Sequence, residues 1–258
     1  MVIYLFRINS FITHLILSDL ISGEGAKLVQ TCQEMCRVMN ELNIGIDGGK
    51  DSLSMAAKVK LSKGHEVVKS PGTLVVSAYA PVPDIRDKVT PELSLDGTRL
   101  VYINLSGNQR HRIGGSALAQ VFGQLGDESP DLDKPQLLRD CFKLVQQLIR
   151  SKICTAGHDI SDGGLITCLL EMAFASNCGL EANFTSDNES DIEVLFAEEP
   201  GVVIEVRESY LEKVLQDFRQ ISVEPQVIGS GLFNEDLVII NFNNKTVLKV
   251  NTKFSDNS

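Results

Sequence analysis

The sequence predicts a mixed α/β (α+β) fold, and three observations predict it. Short apolar runs with strand-like content alternate with stretches of helical spacing along the whole chain. Pro and Gly punctuate the connections between them. Three glycine-paired, hydroxyl-bearing loops stand where such runs end, the position at which folds of this class gather their ligand sites. No fixed-period repeat is present.

Taken in order, apolar residues at Leu28, Cys32, Met35, Cys36, Met39 and Leu42 follow helical spacing through to Asn43. Ile44 to Asp47 reads as a short strand leading into a loop, Gly48-Gly49-Lys50-Asp51-Ser52, and Gly72 to Ala80 as a buried strand. Pro81, Pro83 and Pro91 mark a connection and suggest a boundary near residue 95. Thr98 to Leu105 is then a strand, and Gly114-Gly115-Ser116 opens a helix with Leu118, Val121, Phe122 and Leu125 on one side. A Pro-containing loop to Pro135 precedes a long helix carrying Leu138, Cys141, Val145, Leu148 and Ile149. Lys152 to Ala156 leads through Gly157-His158-Asp159-Ile160-Ser161-Asp162-Gly163-Gly164 into a helix from Leu165 to Asn177. Gly201 to Val206 (strand), Tyr210 to Gln220 (helix) and Val227 to Leu232 (strand) follow. A hairpin pairing Leu237 to Ile240 with Thr246 to Leu248 across Asn243-Asn244 completes the pattern.

With 258 residues, 43% of them hydrophobic, the chain can bury a sizeable core as one large domain or two small ones. Its 24 basic and 34 acidic residues give a net charge of −10, which argues against nucleic acid or an anionic membrane as the main partner. A small phosphorylated ligand remains compatible, given a metal and a few placed cations. The six cysteines form no CxxC pair and read as reduced residues of a cytoplasmic protein; Cys32 and Cys36 share a helix face that lacks further metal ligands. Met1 to Leu20 is apolar but broken by Arg7, Asn9, Ser10 and His14, too interrupted for a membrane span.

The richest chemistry lies in Gly157 to Gly164. The first N–H groups of a helix lack partners within it, and its dipole attracts anions there, phosphate above all. Asp159 and Asp162 supply the hard oxygens that magnesium prefers, and the glycines permit close approach. Ser161 or Asp162 would equally serve as an ordinary N-cap above a tight turn. Lys50, with two glycines and two hydroxyls around it, lacks the GxxxxGK spacing of a P-loop and reads alternatively as a solvated turn residue. Arg110-His111-Arg112 places cations before the Gly114-Gly115-Ser116 helix start, where Ser116 also suits a cap. His158 has no neighbouring nucleophile and reads as a hydrogen-bonded structural histidine. Glu198-Glu199 reads as a solvated turn, with a metal or an amine as the other reading. No catalytic residue is assigned.

Read together, GEGA (Gly23 to Ala26), DGGKDSLSM (Asp47 to Met55), RIGGSALAQ (Arg112 to Gln120), GHDISDGGLITCLLEMAFA (Gly157 to Ala175) and LFAEEPG (Leu195 to Gly201) are collinear. Together they resemble the large, glutamine-dependent phosphoribosylformylglycinamidine synthase family over roughly residues 22 to 250. The resemblance implies an aminoimidazole ribonucleotide synthetase-like fold. Residues 21–95 would be the end of an A subdomain and 96–250 a B subdomain, with 1–20 an atypical segment foreign to the fold and 251–258 a tail. It implies a ligase that activates the formamide oxygen of formylglycinamide ribonucleotide with ATP. Ammonia from glutamine then displaces phosphate to give the amidine, with ADP, phosphate and glutamate as the other products.

Carried over by position, Asp159 would bind Mg²⁺ and Ser161 would contact ATP, with Lys50 and the Gly114-Gly115-Ser116 loop as phosphate neighbours. The family's remaining magnesium ligands, its other synthetase half and its glutaminase domain lie outside the matched stretch, and this chain would need them. We therefore expect a fragment of such a ligase, one whose half-unit surface leaves apolar patches exposed. A non-catalytic nucleotide-binding or interaction module and a stand-alone synthetase-like paralogue are the alternatives.

Overall fold

The computed structural model describes residues 3–4, 10–16, 23–52, 55–94, 97–233 and 235–253. In chain order its elements are β1 (Ile3–Tyr4), β2 (Ser10–Ile16), α1 (Glu24–Leu42), β3 (Ile46–Ser52), β4 (Ala56–Lys60), β5 (His65–Lys69), β6 (Thr73–Tyr79) and β7 (Lys88–Val89). They continue with β8 (Thr98–Asn104), α2 (Ala117–Val121), α3 (Pro135–Arg150), β9 (Cys154–Asp159), α4 (Gly164–Ser176), β10 (Gly179–Phe184) and α5 (Asp191–Phe196). The last are β11 (Gly201–Arg207), α6 (Leu211–Gln220), β12 (Gln226–Leu232), β13 (Leu237–Phe242) and β14 (Lys245–Asn251). The chain divides into a smaller unit, Phe6–Pro83, and a larger one, Met1–Leu5 with Asp84–Ser258.

In the smaller unit β2 lies between β3, to which it runs parallel, and β6, to which it runs antiparallel; β4 and β5 form a separate hairpin. The middle strand comes from the segment expected to be foreign to the fold, and its pairing on both sides makes Ser10–Ile16 part of the sheet. Helix α1 follows its apolar spacing and stops at Asn43, whose left-handed backbone (φ 58°) lets its N–H return to the last turn. Only Glu24 of its residues is buried.

The larger unit is built on a seven-stranded sheet of order β14-β13-β10-β12-β8-β11-β9, antiparallel throughout except for β10 beside β13. Strand alternation assigns its two faces. On interior strand β8, Leu100 and Tyr102 join the core formed with α4 and α5, while Val101 and Ile103 join the core formed with α3 and α6. Each fully buried Leu or Ile of these layers contributes about 1.5–3 kcal/mol relative to exposure. The β13–β14 hairpin turns through Asn243 and Asn244, both at positive φ (48° and 60°), the geometry a two-residue turn demands.

Edge strand β9 carries a bulge. Val206 pairs with Cys154 and Glu205 with Ala156, so Thr155 is the extra residue. Cys154 therefore faces the α3/α6 core and Ala156 the opposite one. Thr155 turns its hydroxyl to Glu205, donating to Oε2 at 2.5 Å. Glu205 is fully buried and accepts also from Ser94 N (2.9 Å), Ser94 Oγ (2.8 Å) and Thr98 Oγ1 (2.7 Å). These bonds, the buried side chains of Val89 and Leu93 and the bond from Gly157 N to Thr90 O (3.0 Å) dock residues 89–94 onto the sheet. The division at Pro83/Asp84 thus lies upstream of the boundary expected near residue 95.

Other departures from expectation are local. The Gly48 to Ser52 stretch, expected as a loop, is strand: β2 pairs with it residue by residue from Gly48 to Ser52, drawing both glycines into the ladder. Helix α2 is one short turn, and its expected apolar side is open, Val121, Phe122 and Leu125 being 69–80% exposed. Strands β4, β5 and β10 and helix α5 were not evident in the sequence. Among the described residues no helix is long and apolar enough to cross a membrane.

Candidate nucleotide and metal site

Asp159 ends β9 at the sheet edge, and its carboxylate is partly exposed (40%). Beside it, His158 is buried between two acids. Its Nδ1 donates to the Asp159 carbonyl at 2.8 Å and lies 3.2 Å from Asp159 Oδ1, while Nε2 lies 3.0 Å from Glu171 Oε2. Both ring nitrogens thus face acceptors, the arrangement of an imidazolium. The Asp159 hydrogen bond raises the His158 pKa against the opposing effect of burial, and His158 in turn lowers that of Asp159. Asp159 is held as a carboxylate, the form a hard cation requires.

Ile160 N donates to Gly201 O (2.9 Å), and the chain then crosses exposed Ser161 and Asp162 to α4. Neither side chain caps the helix. The cap position is Gly163, in the left-handed region (φ 86°), and Gly164 follows at φ 76°. A Cβ on Gly164 would lie 2.7 Å from the Phe196 carbonyl carbon, so this glycine admits a neighbouring backbone rather than a ligand.

Glu198 takes over the capping. Its Oε1 accepts from Gly163 N at 2.8 Å and from Ala117 N, the first residue of α2, at 2.8 Å. A carboxylate at these helix starts satisfies donors that the helices leave open. The adjacent Glu199, 1% exposed, accepts from Arg112 through Nε (2.5 Å), NH2 (2.8 Å) and the backbone N (3.0 Å). Arg112 also reaches Asp133 Oδ2 at 2.8 Å, and these carboxylates raise its already high pKa. The pair expected on a solvated turn is therefore engaged on both residues, and it fastens three of the sequence motifs together. No periodicity announced these bonds; the sequence offered only a metal or an amine as an alternative to the solvated turn, and the presence of LFAEEPG among the collinear motifs.

The Gly114-Gly115-Ser116 loop lies in this cluster with its donors in use. Gly114 N donates to Glu128 O (2.8 Å) and Gly115 N to Leu125 O (2.6 Å), and a Cβ on Gly114 would come within 2.4 Å of that Glu128 oxygen. Buried Ser116 caps α2, accepting from Ala119 N at 3.2 Å. Arg110 pairs with Glu128, and His111 is buried between Asn104 and Glu189. Arg110, His111, Gly114, Glu128 and Glu189 border a cavity of about 340 Å³. Lys50 belongs to the smaller unit, where its Nζ donates to Asp51 O (2.7 Å) and Ser52 Oγ (3.1 Å).

Among the described residues no group of three or more His, Cys, Asp or Glu side chains could hold a metal ion. A single ionised carboxylate nevertheless suits magnesium delivered with a polyphosphate, since that ion keeps several waters and takes one or two protein carboxylates. Asp159 fits that requirement.

Residues 15–81 match the family described as FGAR-AT PurM_N-like domain, and residues 96–230 match AIR synthase related protein, C-terminal domain. The human phosphoribosylformylglycinamidine synthase is 50% identical over 209 residues, covering 80% of this chain and 15% of the relative. The probable chloroplastic/mitochondrial phosphoribosylformylglycinamidine synthase of Arabidopsis thaliana is 44% identical over 236 residues, covering 91% and 16%. The chain thus spans only about a sixth of the length of these relatives. Among solved structures, Thermotoga maritima PurL complexed with ATP superposes with a TM-score of 0.64 at 14% identity, covering 96% of this chain and 37% of that one. Escherichia coli HypE, a hydrogenase maturation protein, superposes with a TM-score of 0.61 at 16% identity, covering 98% and 75%. The fold is that of the AIR synthase-like proteins, and with one family matched across more than half its length the chain belongs to the AIR synthase-related family.

Proposed function

We propose that this chain is a portion of a purine-biosynthetic ligase of the phosphoribosylformylglycinamidine synthase type. That enzyme converts formylglycinamide ribonucleotide, ATP and glutamine to formylglycinamidine ribonucleotide, ADP, phosphate and glutamate. The observation that carries the reading is the 43–50% identity to curated enzymes of that name over 80–91% of the chain.

In this reading Asp159 supplies a carboxylate to Mg²⁺, and exposed Ser161 contacts the ATP phosphates from the loop above α4. Magnesium, when bound, neutralises phosphate charge and orients the polyphosphate. His158 keeps Asp159 ionised and turned toward the loop. The Gly114-Gly115-Ser116 loop neighbours the phosphates, with its Gly114 and Gly115 amides bonded to Glu128 and Leu125. The site works in the cytoplasm as part of an enzyme that also contains the other synthetase half and a glutaminase domain.

Calorimetry on the purified chain tests the site. Mg·ADP binding that Asp159→Ala weakens at least about tenfold supports it; undetectable binding, or binding indifferent to Asp159→Ala, rejects it. The ligase assignment fails if an enzyme containing this chain with its missing segments yields no amidine from glutamine, ATP and formylglycinamide ribonucleotide.

A further inference from the structure

The loop bearing Ser161 rests on the connection between α5 and β11, and it does so at both ends. Ile160 N is held by Gly201 O at one end, and Gly163 N by Glu198 Oε1 at the other. Just past the second anchor Gly164 packs directly against the Phe196 backbone and returns its N–H to Ser161 O at 2.9 Å. The oxygen that fixes Gly163 also fixes Ala117 N, which follows the Gly114-Gly115-Ser116 loop. A single atom therefore couples two loops that are 46 residues apart at these amides, and Glu199 secures the start of the second loop through Arg112.

From this geometry we infer that Glu198 is a positioning residue for the nucleotide site, holding the Ser161 loop and the α2 loop in one fixed relation. The inference rests on the nucleotide reading of Asp159 and Ser161. Two features separate such a role from general support of the fold. Glu198 is partly exposed and bonds backbone amides at the two helix starts, whereas Glu205 is fully buried within the sheet and touches neither loop. Both Glu198 bonds also converge on one oxygen, which the carbonyl of a glutamine reproduces without the charge.

The test compares Glu198→Ala, Glu198→Gln and Glu205→Ala by Mg·ADP calorimetry and by amide hydrogen exchange of the ligand-free chain. Glu198→Ala is expected to weaken Mg·ADP by about tenfold, the scale of one lost charge-assisted hydrogen bond. It should also speed exchange at Gly163 and Ala117 together. Glu198→Gln should stay within about threefold of wild type in affinity, and Glu205→Ala should lower stability without accelerating those two amides selectively. Should Glu198→Ala fail to fold, Glu198→Asp, one methylene too short to span both amides, takes its place.

The inference is overturned if Glu198→Ala binds Mg·ADP as wild type does, if Glu198→Gln is as weak as Glu198→Ala, or if Gly163 and Ala117 respond independently. A wild-type chain that binds no Mg·ADP, or whose binding ignores Asp159→Ala, removes the nucleotide reading itself. The exchange data then report the coupling of the loops alone.

Discussion

Arg112 and Glu199 meet in a two-pronged bridge, Nε to Oε1 at 2.5 Å and NH2 to Oε2 at 2.8 Å, with both side chains buried and the two residues 87 positions apart. The same NH2 group also faces Asp133 Oδ2 and the Asp131 carbonyl, and NH1 lies 3.4 Å from Asp133 Oδ1, so the charge is well satisfied. Removing one partner strands the other. Glu199→Ala is expected to cost about 3 kcal/mol or more in a urea titration, and Arg112→Lys to fall well short of wild type because an ammonium cannot reproduce the fork. Either variant unfolding at the wild-type midpoint would contradict this account.

Glu205 presents the opposite case, a buried carboxylate whose described side-chain partners are hydroxyls and a backbone N–H. Four donor groups converge on it from three segments. Glu205→Ala would remove the carboxylate that these bonds share and is expected to lower stability by about 3 kcal/mol. Glu205→Gln should also destabilise, since its amide nitrogen would face donors. An unchanged denaturation midpoint for both variants would show that these bonds contribute nothing net.

Thiol reactivity should divide the cysteines by unit. Cys32 and Cys36 are exposed on α1, whereas Cys141, Cys154, Cys168 and Cys178 are buried in the larger unit. Burial pushes Cys141 and Cys154 up to about 12 and raises Cys168 and Cys178 as well. Peptide mapping after brief iodoacetamide treatment at pH 8 is expected to find label at Cys32 and Cys36, with the other four modified only after denaturation. Early labelling of Cys141 or Cys154 would refute the buried assignment.

The His158–Asp159 contact carries a pH signature. The raised His158 pKa means that its stabilisation is complete below the ordinary value of 6.5 and is lost as pH rises through the folded value. The lowered Asp159 pKa means that its share is present above 3.8 and is lost as pH falls through the folded value. In chelator and without nucleotide, His158→Gln should therefore cost most near pH 5.5 and less at pH 9. After solvent screening of the partly exposed Asp159, the difference should be on the order of 1 kcal/mol. A cost independent of pH would mean that the imidazole acts by packing alone.

Much of the framework was legible because local physics decides it. Helix α3 declares itself by spacing and by Pro135 in its first turn, β8 and β11 by buried apolar runs, and the β13–β14 hairpin by its Asn pair. What escaped depends on distant partners. Residues Gly48 to Ser52 look like a loop until β2 pairs with them. Strand β10 is short and carries polar Glu181 and Asn183, so only its neighbours make it a strand. The candidate site divides likewise: Asp159 and Asp162 are legible by residue type and Ser161 only through the resemblance, while the bonds that engage Glu198 and Glu199 are not, because their partners lie 35 to 87 residues away. Gly164 was read as room for a ligand, and the Phe196 backbone fills that room.

The placement of β8 inside the sheet, between β12 and β11, bears on how the larger unit folds. Asn104 pairs with Gly201 and Tyr102 with Gln226, so this early strand waits about a hundred residues or more for either neighbour. Such non-local closure slows folding. During synthesis Leu100, Val101 and Ile103 emerge well before β11 and β12 exist, leaving an unpaired apolar edge in the nascent chain. A strand buried between two neighbours in the finished protein is thus exposed, and in need of shielding, while the protein is being made.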